Sequence, residues 1–520
     1  MLSREFGEIA GIEIIDFENK DLCLKKINKP FTFYFDKIST CPIMPPKKRG
    51  AGETNGSGKR KKRKNSDDFE EFDDEEAVDN SATGDAVDHK DGDTTDYSDV
   101  KLEGSMLSGE VLFCGGTNWD LIGRNKLPKN AKGGGPNLWC PHRLAKLLGV
   151  KIRTVSSSTG CCHCAVITTD GKVLTWGRNE SGQLGQGSTD RVDSPTVVSA
   201  LEGLNVIDVA CGKQHTLFVT EKGVVYSCGE NKYGQLGLGH QSCNVYTPTK
   251  ISFNGPPVKK VAAGGDFSMM IDIRGNLYSF GCPEYGQLGH NTDGKFFVTS
   301  NKLSFKCELY PRKVNVFIDR DRDNRIVPVT DVELRDIACG HNHSVALDAK
   351  KRIFTWGFGG YGRLGHSEPK DEMVPRKLGY FDGPNRGAKQ VYAGSTFSLA
   401  VSEHGALFLW GQQKPTGEAA MYPKLVQDLS GWRIRSLGCC NKSIVVAADD
   451  SLVAWGPSPT YGELGFGDTK KSSSYAQEVK TLGNIYIHSV ACGYGHTLMI
   501  ARNDTEDEKN EIEKMDVYTP

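Results

Sequence analysis

Four groups of residues in this chain are of types that could do chemistry. The first is a set of histidines, His163, His215, His343 and His496, each three residues after a glycine in a Gly-x-x-His motif. Imidazoles bind metals, relay protons or hydrogen-bond. The second is Cys161-Cys162-His163-Cys164, made of zinc-ligand residue types. The third is Asp319-Arg-Asp-Arg-Asp-Asn-Arg325, which could ion-pair with a partner. The fourth is the run Lys59, Arg60, Lys61, Lys62, Arg63 and Lys64, suited to a nuclear-import receptor or to nucleic-acid phosphates. No Gly-x-Ser-x-Gly elbow, His-Glu-x-x-His zinc site or Walker loop accompanies them. The expectation is therefore no catalytic residue, no cofactor and no metal.

The elements that position these groups come from a repeat. Trp176-Gly-Arg-Asn-Glu-Ser-Gly-Gln-Leu-Gly185 returns as Cys228-Gly-Glu-Asn-Lys-Tyr-Gly-Gln-Leu-Gly237. Further copies start at Phe280, Trp356 and Trp455, a decayed one at Trp410 and a divergent one at Phe113. The starts lie 63, 52, 52, 76, 54 and 45 residues apart. A period near 50 made of short apolar runs predicts an all-β, seven-bladed β-propeller over residues 100–502. Each Trp-Gly half follows a Gly-x-x-His half, and the two are offset. The chain opens with the first kind, at Phe113, and closes with the second, at His496. The last blade can be complete only if residues near 106–124 pair with residues near 487–500. The ring is then closed by its N- and C-terminal repeat halves, which removes the free sheet edge.

This architecture sets what each group can do. Equivalent histidines form a ring about the channel, interrupted by Phe267, Phe397 and Ser443. Blade spacing separates them too far for one ion, so structural hydrogen bonding is favoured over partner contact and over metal. On a strand, alternate residues face opposite ways, so Cys161, Cys162, His163 and Cys164 are not expected to converge. Trp176, Trp356 and Trp455 supply apolar area between blades. Two stretches read as insertions. One is 125–150. The other is 296–334, where Val314–Ile318 and Ile326–Val329 flank the charged tip as a hairpin. Long loops on a rigid scaffold are where binding sites concentrate.

Outside the repeat, residues 1–43 have no clear period, and Met44-Pro45-Pro46-Lys47 resembles a second beginning. Residues 44–65 carry nine positive charges against Glu53 alone, and 66–99 carry fifteen Asp and Glu against Lys90. Such a segment buries too little apolar surface to offset its ordering entropy, so disorder is predicted over 44–99. Residues 503–520 read as a charged, weakly helical tail. Sixteen cysteines without a secretory signal suggest a reducing compartment. No stretch of about 18 apolar residues is present, so no helical membrane span is expected.

The chain resembles the regulator of chromosome condensation superfamily. The resemblance rests on Thr117-Asn-Trp-Asp-Leu-Ile-Gly-Arg124, Asn137-Leu-Trp139, Phe280-Gly-Cys-Pro-Glu-Tyr-Gly-Gln-Leu-Gly-His290, Trp356-Gly-Phe-Gly-Gly-Tyr-Gly-Arg-Leu-Gly-His366, Gly431-Trp-Arg-Ile-Arg-Ser-Leu437 and Trp455-Gly-Pro-Ser-Pro. It covers roughly residues 100–502 and favours one branch over the founding member. It implies a monomeric mitotic regulator that binds small GTPases of the Rac and Ral types and has no catalytic chemistry of its own, with guanine nucleotide exchange as a candidate activity. It also implies chromatin and microtubule contact. The implied locations are nucleus and nucleolus in interphase, with a cytoplasmic share, and chromosomes, centromere, spindle and midzone in mitosis. In the founding member an acidic residue beside the third inner-strand motif supports exchange, and Asp266 stands at the matching place. The GTPase-contact candidates are thus Asp266, Asp319, Arg320, Asp321, Arg322 and Arg325. The alternative reading is a chromatin or microtubule adaptor without exchange activity.

Overall fold

The computed structural model describes residues 96–520 except 130, 132, 414–417 and 457–460. The basic run and nearly all of the two N-terminal segments lie outside the described residues. The compact unit spans Asp91–Pro520. It is built of seven antiparallel blades: 152–197, 206–250, 258–313, 334–377, 388–425, 434–478 and a composite seventh. Blade 7 takes its first two strands, Ile487–Cys492 and His496–Ala501, from the C-terminal end. Its third and fourth, Glu110–Gly116 and Asn137–Leu144, come from the N-terminal end. Cys114 pairs with Thr497 and Gly115 with His496, the closure that the offset half-motifs predict.

Each second strand is buried along its whole length, because a neighbouring blade covers both of its faces. That is why these strands read as apolar runs without alternation. The third strands end in Trp176, Cys228, Phe280, Trp356, Trp410, Trp455 and Cys114, all buried between blades. Trp356 also donates its indole N–H to the Gln287 carbonyl of the previous blade at 2.8 Å. The first strands of successive blades pack side by side around a closed circle. Every one of them carries a pairing irregularity at the same place, just before Thr154, Asp208, Lys260, Asp336, Gln390, Ser436 and Ser489.

Two sequence readings need correction. Residues 137–144, inside the stretch read as an insertion, are the fourth strand of blade 7. Fourth strands lie at the rim and carry no glycine signature, so nothing in the repeat flags them. Within 296–334, the stretch Glu308–Lys313 is likewise the fourth strand of blade 3. The tail beyond 502 has a structural task. Thr505 and Glu508 form a capping box for the helix Glu506–Glu513. Val517–Tyr518 then adds a parallel strand to Asn137–Leu144, covering the edge of the blade that closes the ring.

Candidate functional site

The strands of a blade alternate in direction. The turns between strands one and two and the loops between strands three and four therefore emerge on one face, here called the loop face. The turns between strands two and three and the blade-to-blade connections emerge on the other, the linker face.

The histidines sit where the second strand begins, at the loop face, and are fully buried. Nε2 of His163 lies 2.8 Å from Oγ1 of Thr216, that of His215 2.9 Å from Oγ of Ser268, and that of His343 2.9 Å from Oγ of Ser398. Each hydroxyl belongs to the next blade. Each donates its proton to a carbonyl in the loop of the previous blade: Gln183, Gln235 and Arg363, at 2.7, 2.7 and 2.8 Å. The hydroxyl oxygen must then accept from the ring, which fixes the Nε2–H tautomer. Across the closure Nε2 of His496 lies 3.1 Å from Oγ of Ser157, which donates to the His163 carbonyl of its own blade, and 3.1 Å from Sγ of Cys164. The histidines are bolts between blades. Burial pushes His215 and His496 down to about 4 and His343 well below its ordinary value, so they stay neutral. The glycine three residues before His215, His343 and His496 is required because the ring lies on it, whereas Gly160 does not touch the His163 ring. A Cβ on Gly212 would stand 2.2 Å from Cε1 of His215. Phe267 lies on Gly264 in the same way, where a Cβ would stand 2.0 Å from its Cε1, so a flat ring satisfies the packing without the bolt.

The four residues of the cluster do not converge, as the strand argument expects, but Cys161 and His163, two positions apart, do come together. The first two strands of blade 1 are separated by six residues, 157–162, whereas blades 2, 3, 4, 5 and 7 use three. Cys161 therefore belongs to a turn and folds inward, with Sγ 3.0 Å from Nδ1 of His163. Cys211 joins from blade 2, and one ligand atom from each of the three lies within 4.8 Å of the others. Cys162 and Cys164 point elsewhere, to the Ile122 carbonyl and to His496.

Asp266 is half-buried in the loop-face turn of blade 3, and its carbonyl accepts the N–H of Cys282 at 2.9 Å. Cys282 opens the three-to-four loop of the same blade. From that loop rises a hairpin absent from the sequence reading, Lys295–Thr299 paired with Lys302–Phe305. It closes at Lys306 N–H to the Gly294 carbonyl, 2.8 Å. Phe296, Phe297, Val298 and Leu303 on it are 47, 73, 55 and 43% exposed. Large side chains so exposed on consecutive positions mark a contact surface. The period-2 alternation that signals a half-buried strand is missing there, because both faces of the hairpin are exposed.

The expected charged hairpin exists but is shorter, Ile318–Arg320 with Ile326–Pro328, and it extends the rim of blade 4 beside Arg376. It arises from a blade-to-blade connection, so it belongs to the linker face. The structure does not bring Asp319–Arg325 together with Asp266. The tip largely satisfies itself: Arg325 pairs with Asp321 at 2.9 Å and Asp323 at 2.6 Å. Asp319 pairs with Lys377 at 2.8 Å, Arg320 reaches Glu372 at 3.7 Å, and Arg322 is exposed.

The linker face also has a circle of basic residues. Arg153, Lys259, Arg335, Lys389, Arg435 and His488 hold the same position in six of the seven first strands, one residue before the irregularity. Arg153, Lys259 and Arg435 bind a carbonyl of the next first strand, at Val206, Leu334 and Ile487. A cavity of about 430 Å³ opens at this mouth, crossed by Glu103–Leu107.

Comparison with known proteins follows the geometry. Residues 110–499 match the family model described as the RCC1-like domain. Human Protein RCC2 is 56% identical over 425 residues, 81% of each chain. The Protein RCC2 homolog of Xenopus laevis is 54% identical over 425 residues, 81% of this chain and 83% of its own. Among solved structures, Prp20p of Saccharomyces cerevisiae, described with its binding properties to Gsp1p and histones, superposes with a TM-score of 0.60 at 19% identity. The superposition covers 81% of this chain and 97% of that one, a likeness of fold.

Proposed function

The chain belongs to the family of RCC1-like propellers, and on that footing we propose that it is a cell-cycle regulator that holds a small GTPase of the Rac or Ral type on the loop face of blade 3. One observation carries the reading: Asp266 and the exposed apolar hairpin rise from the same blade on the same face, joined through Cys282. A rigid ring beneath a projecting apolar finger can grip a GTPase whose nucleotide pocket is open. Exchange needs no acid, base or nucleophile in this chain. It needs only tighter binding of the empty GTPase than of the loaded one. Binding to Gsp1p and histones by the yeast propeller Prp20p is a precedent for such partners on this fold. The proposal extends to nuclear residence and to work on chromosomes, centromere and spindle.

The test compares the affinity of the full chain for Rac- and Ral-type GTPases, nucleotide-free and GDP-loaded. A preference of tenfold or more for the empty form, about 1.4 kcal/mol, supports exchange. Equal affinities with unchanged nucleotide release would remove it.

A second reading, a chromatin adaptor without exchange activity, is favoured by the basic circle on the linker face together with Lys59–Lys64. Binding to DNA would then fall steeply with salt. Deleting 44–65 would flatten that dependence, and binding indifferent to both salt and deletion would count against the adaptor.

A further inference from the structure

Blade 1 departs from the repeat at one place, and the departure assembles a donor set. In the other blades with a histidine bolt, Nε2 is used and Nδ1 of His215, His343 and His496 has no partner. In blade 1 the bolt to Thr216 is kept, but the longer turn places a sulfur against the free nitrogen. The tautomer fixed by Thr216 leaves a lone pair on Nδ1, aimed at the sulfur of Cys161. The sulfur of Cys211 completes the group from across the blade boundary.

We propose that Cys161, His163 and Cys211 bind one soft, thiophilic metal ion, with Cu(I) preferred to Zn(II). Three considerations carry this. The ligand atoms lie within 4.8 Å of one another, close enough to converge on an ion 2.0–2.3 Å from each with small side-chain movements. The supports of a metal site are already present. Thr216 orients the imidazole through its far nitrogen and is itself held by the Gln183 carbonyl, and the backbone N–H of His163 points to the Cys161 sulfur at 3.4 Å. The donor set also selects the ion. Two thiolates and one imidazole are soft, and no fourth His, Cys, Asp or Glu joins them among the described residues. Zn(II) takes four ligands, the fourth often water. Here the three residues are at most 2% exposed, so a three-coordinate ion fits the sealed site better.

Binding would release the thiol protons, so affinity should rise with pH. The ion would tie blade 1 to blade 2 beside the closing blade.

The experiment uses the full chain, produced in copper-supplemented cells and purified under reducing conditions. Metal content is measured by elemental analysis, and affinity by competition with a chromophoric Cu(I) chelator and, separately, with a Zn(II) dye. The expected result is one Cu(I) per folded chain. His163→Phe, which copies the packing of Phe267, and Cys211→Ser should each weaken binding at least 100-fold while circular dichroism keeps the β signature. Cys440→Ser, a buried cysteine elsewhere, should leave it unchanged. No stoichiometric ion, or an ion retained by both site variants, would overturn the site. Tighter Zn(II) than Cu(I) binding would overturn the choice of ion, and a Cys161–Cys211 disulfide in the chain as isolated would overturn the proposal.

Discussion

His215 and Phe297 mark the two extremes of this propeller. The imidazole is sealed between blades 2 and 3, bonded to Ser268, and has counterparts at His163, His343 and His496. The phenyl ring is 73% exposed and sits on a hairpin of blade 3 that has no counterpart in another blade among the described residues. Residues that recur are consumed by the ring itself, so their chemistry is spent on joining blades. Residues that occur once are left over from the ring and are free to meet partners. The same contrast separates the three-residue turns from the six-residue turn of blade 1, and Gly212-Lys-Gln-His215 from Gly160-Cys-Cys-His163.

This contrast predicts how variants should rank. The largest effect is expected at a recurring buried position. Trp356→Ala should cost about 3–5 kcal/mol, seen as a lower midpoint in urea, because the cavity lies between two blades and the bond to the Gln287 carbonyl is lost. A loss below 1 kcal/mol would mean that the blades are not held by this packing.

Acid comes next. Burial keeps His215, His343 and His496 neutral in the fold, with His215 and His496 pushed down to about 4, but they protonate near 6.5 when unfolded. The unfolded chain then binds more protons between these values. Stability should be level above pH 6.5 and fall as pH drops towards 4, by roughly 3 kcal/mol for each such ring. Unfolding midpoints measured from pH 8 to 4 would show this, and a flat profile would contradict the buried neutral assignment.

A smaller effect separates the bolt from the ring that carries it. His215→Phe should cost about 1 kcal/mol, the net worth of one hydrogen bond, since Phe267 and Phe397 fill equivalent places. His215→Ala should cost about 3 kcal/mol, because it opens a cavity as well. The smallest change is expected at the linker-face tip. Arg325→Ala removes two exposed ion pairs and should alter stability by less than about 0.5 kcal/mol, with GTPase binding unaffected.

Much of the ring was legible in the sequence, including its closure by residues near 106–124 and 487–500, which the structure realises with Cys114 opposite Thr497. The reason is physical: turns that need glycine, and a ring that must lie on one, force identical residues at identical spacing. Asn137–Leu144 was not legible, because a rim strand has only one neighbour and few constraints. The hairpin at Lys295–Phe305 was missed because its exposed apolar residues do not alternate. Asp266 and Asp319–Arg325 looked like one contact set, and only the alternating strand directions place them on opposite faces. Cys211 could not be tied to Cys161 from the sequence, since contacts between blades link residues about 50 positions apart with no local pattern.

The central claim is that the loop face of blade 3 grips an empty GTPase. It is tested most directly by measuring the affinity of nucleotide-free Rac- and Ral-type GTPases for the full chain and for its Phe296→Asp/Phe297→Asp variant. Both side chains are exposed, so the variant should unfold at the same temperature as the parent. The account predicts at least tenfold weaker binding in the variant with its fold intact. Unchanged affinity in a folded variant would contradict it and move the contact to another part of the molecule.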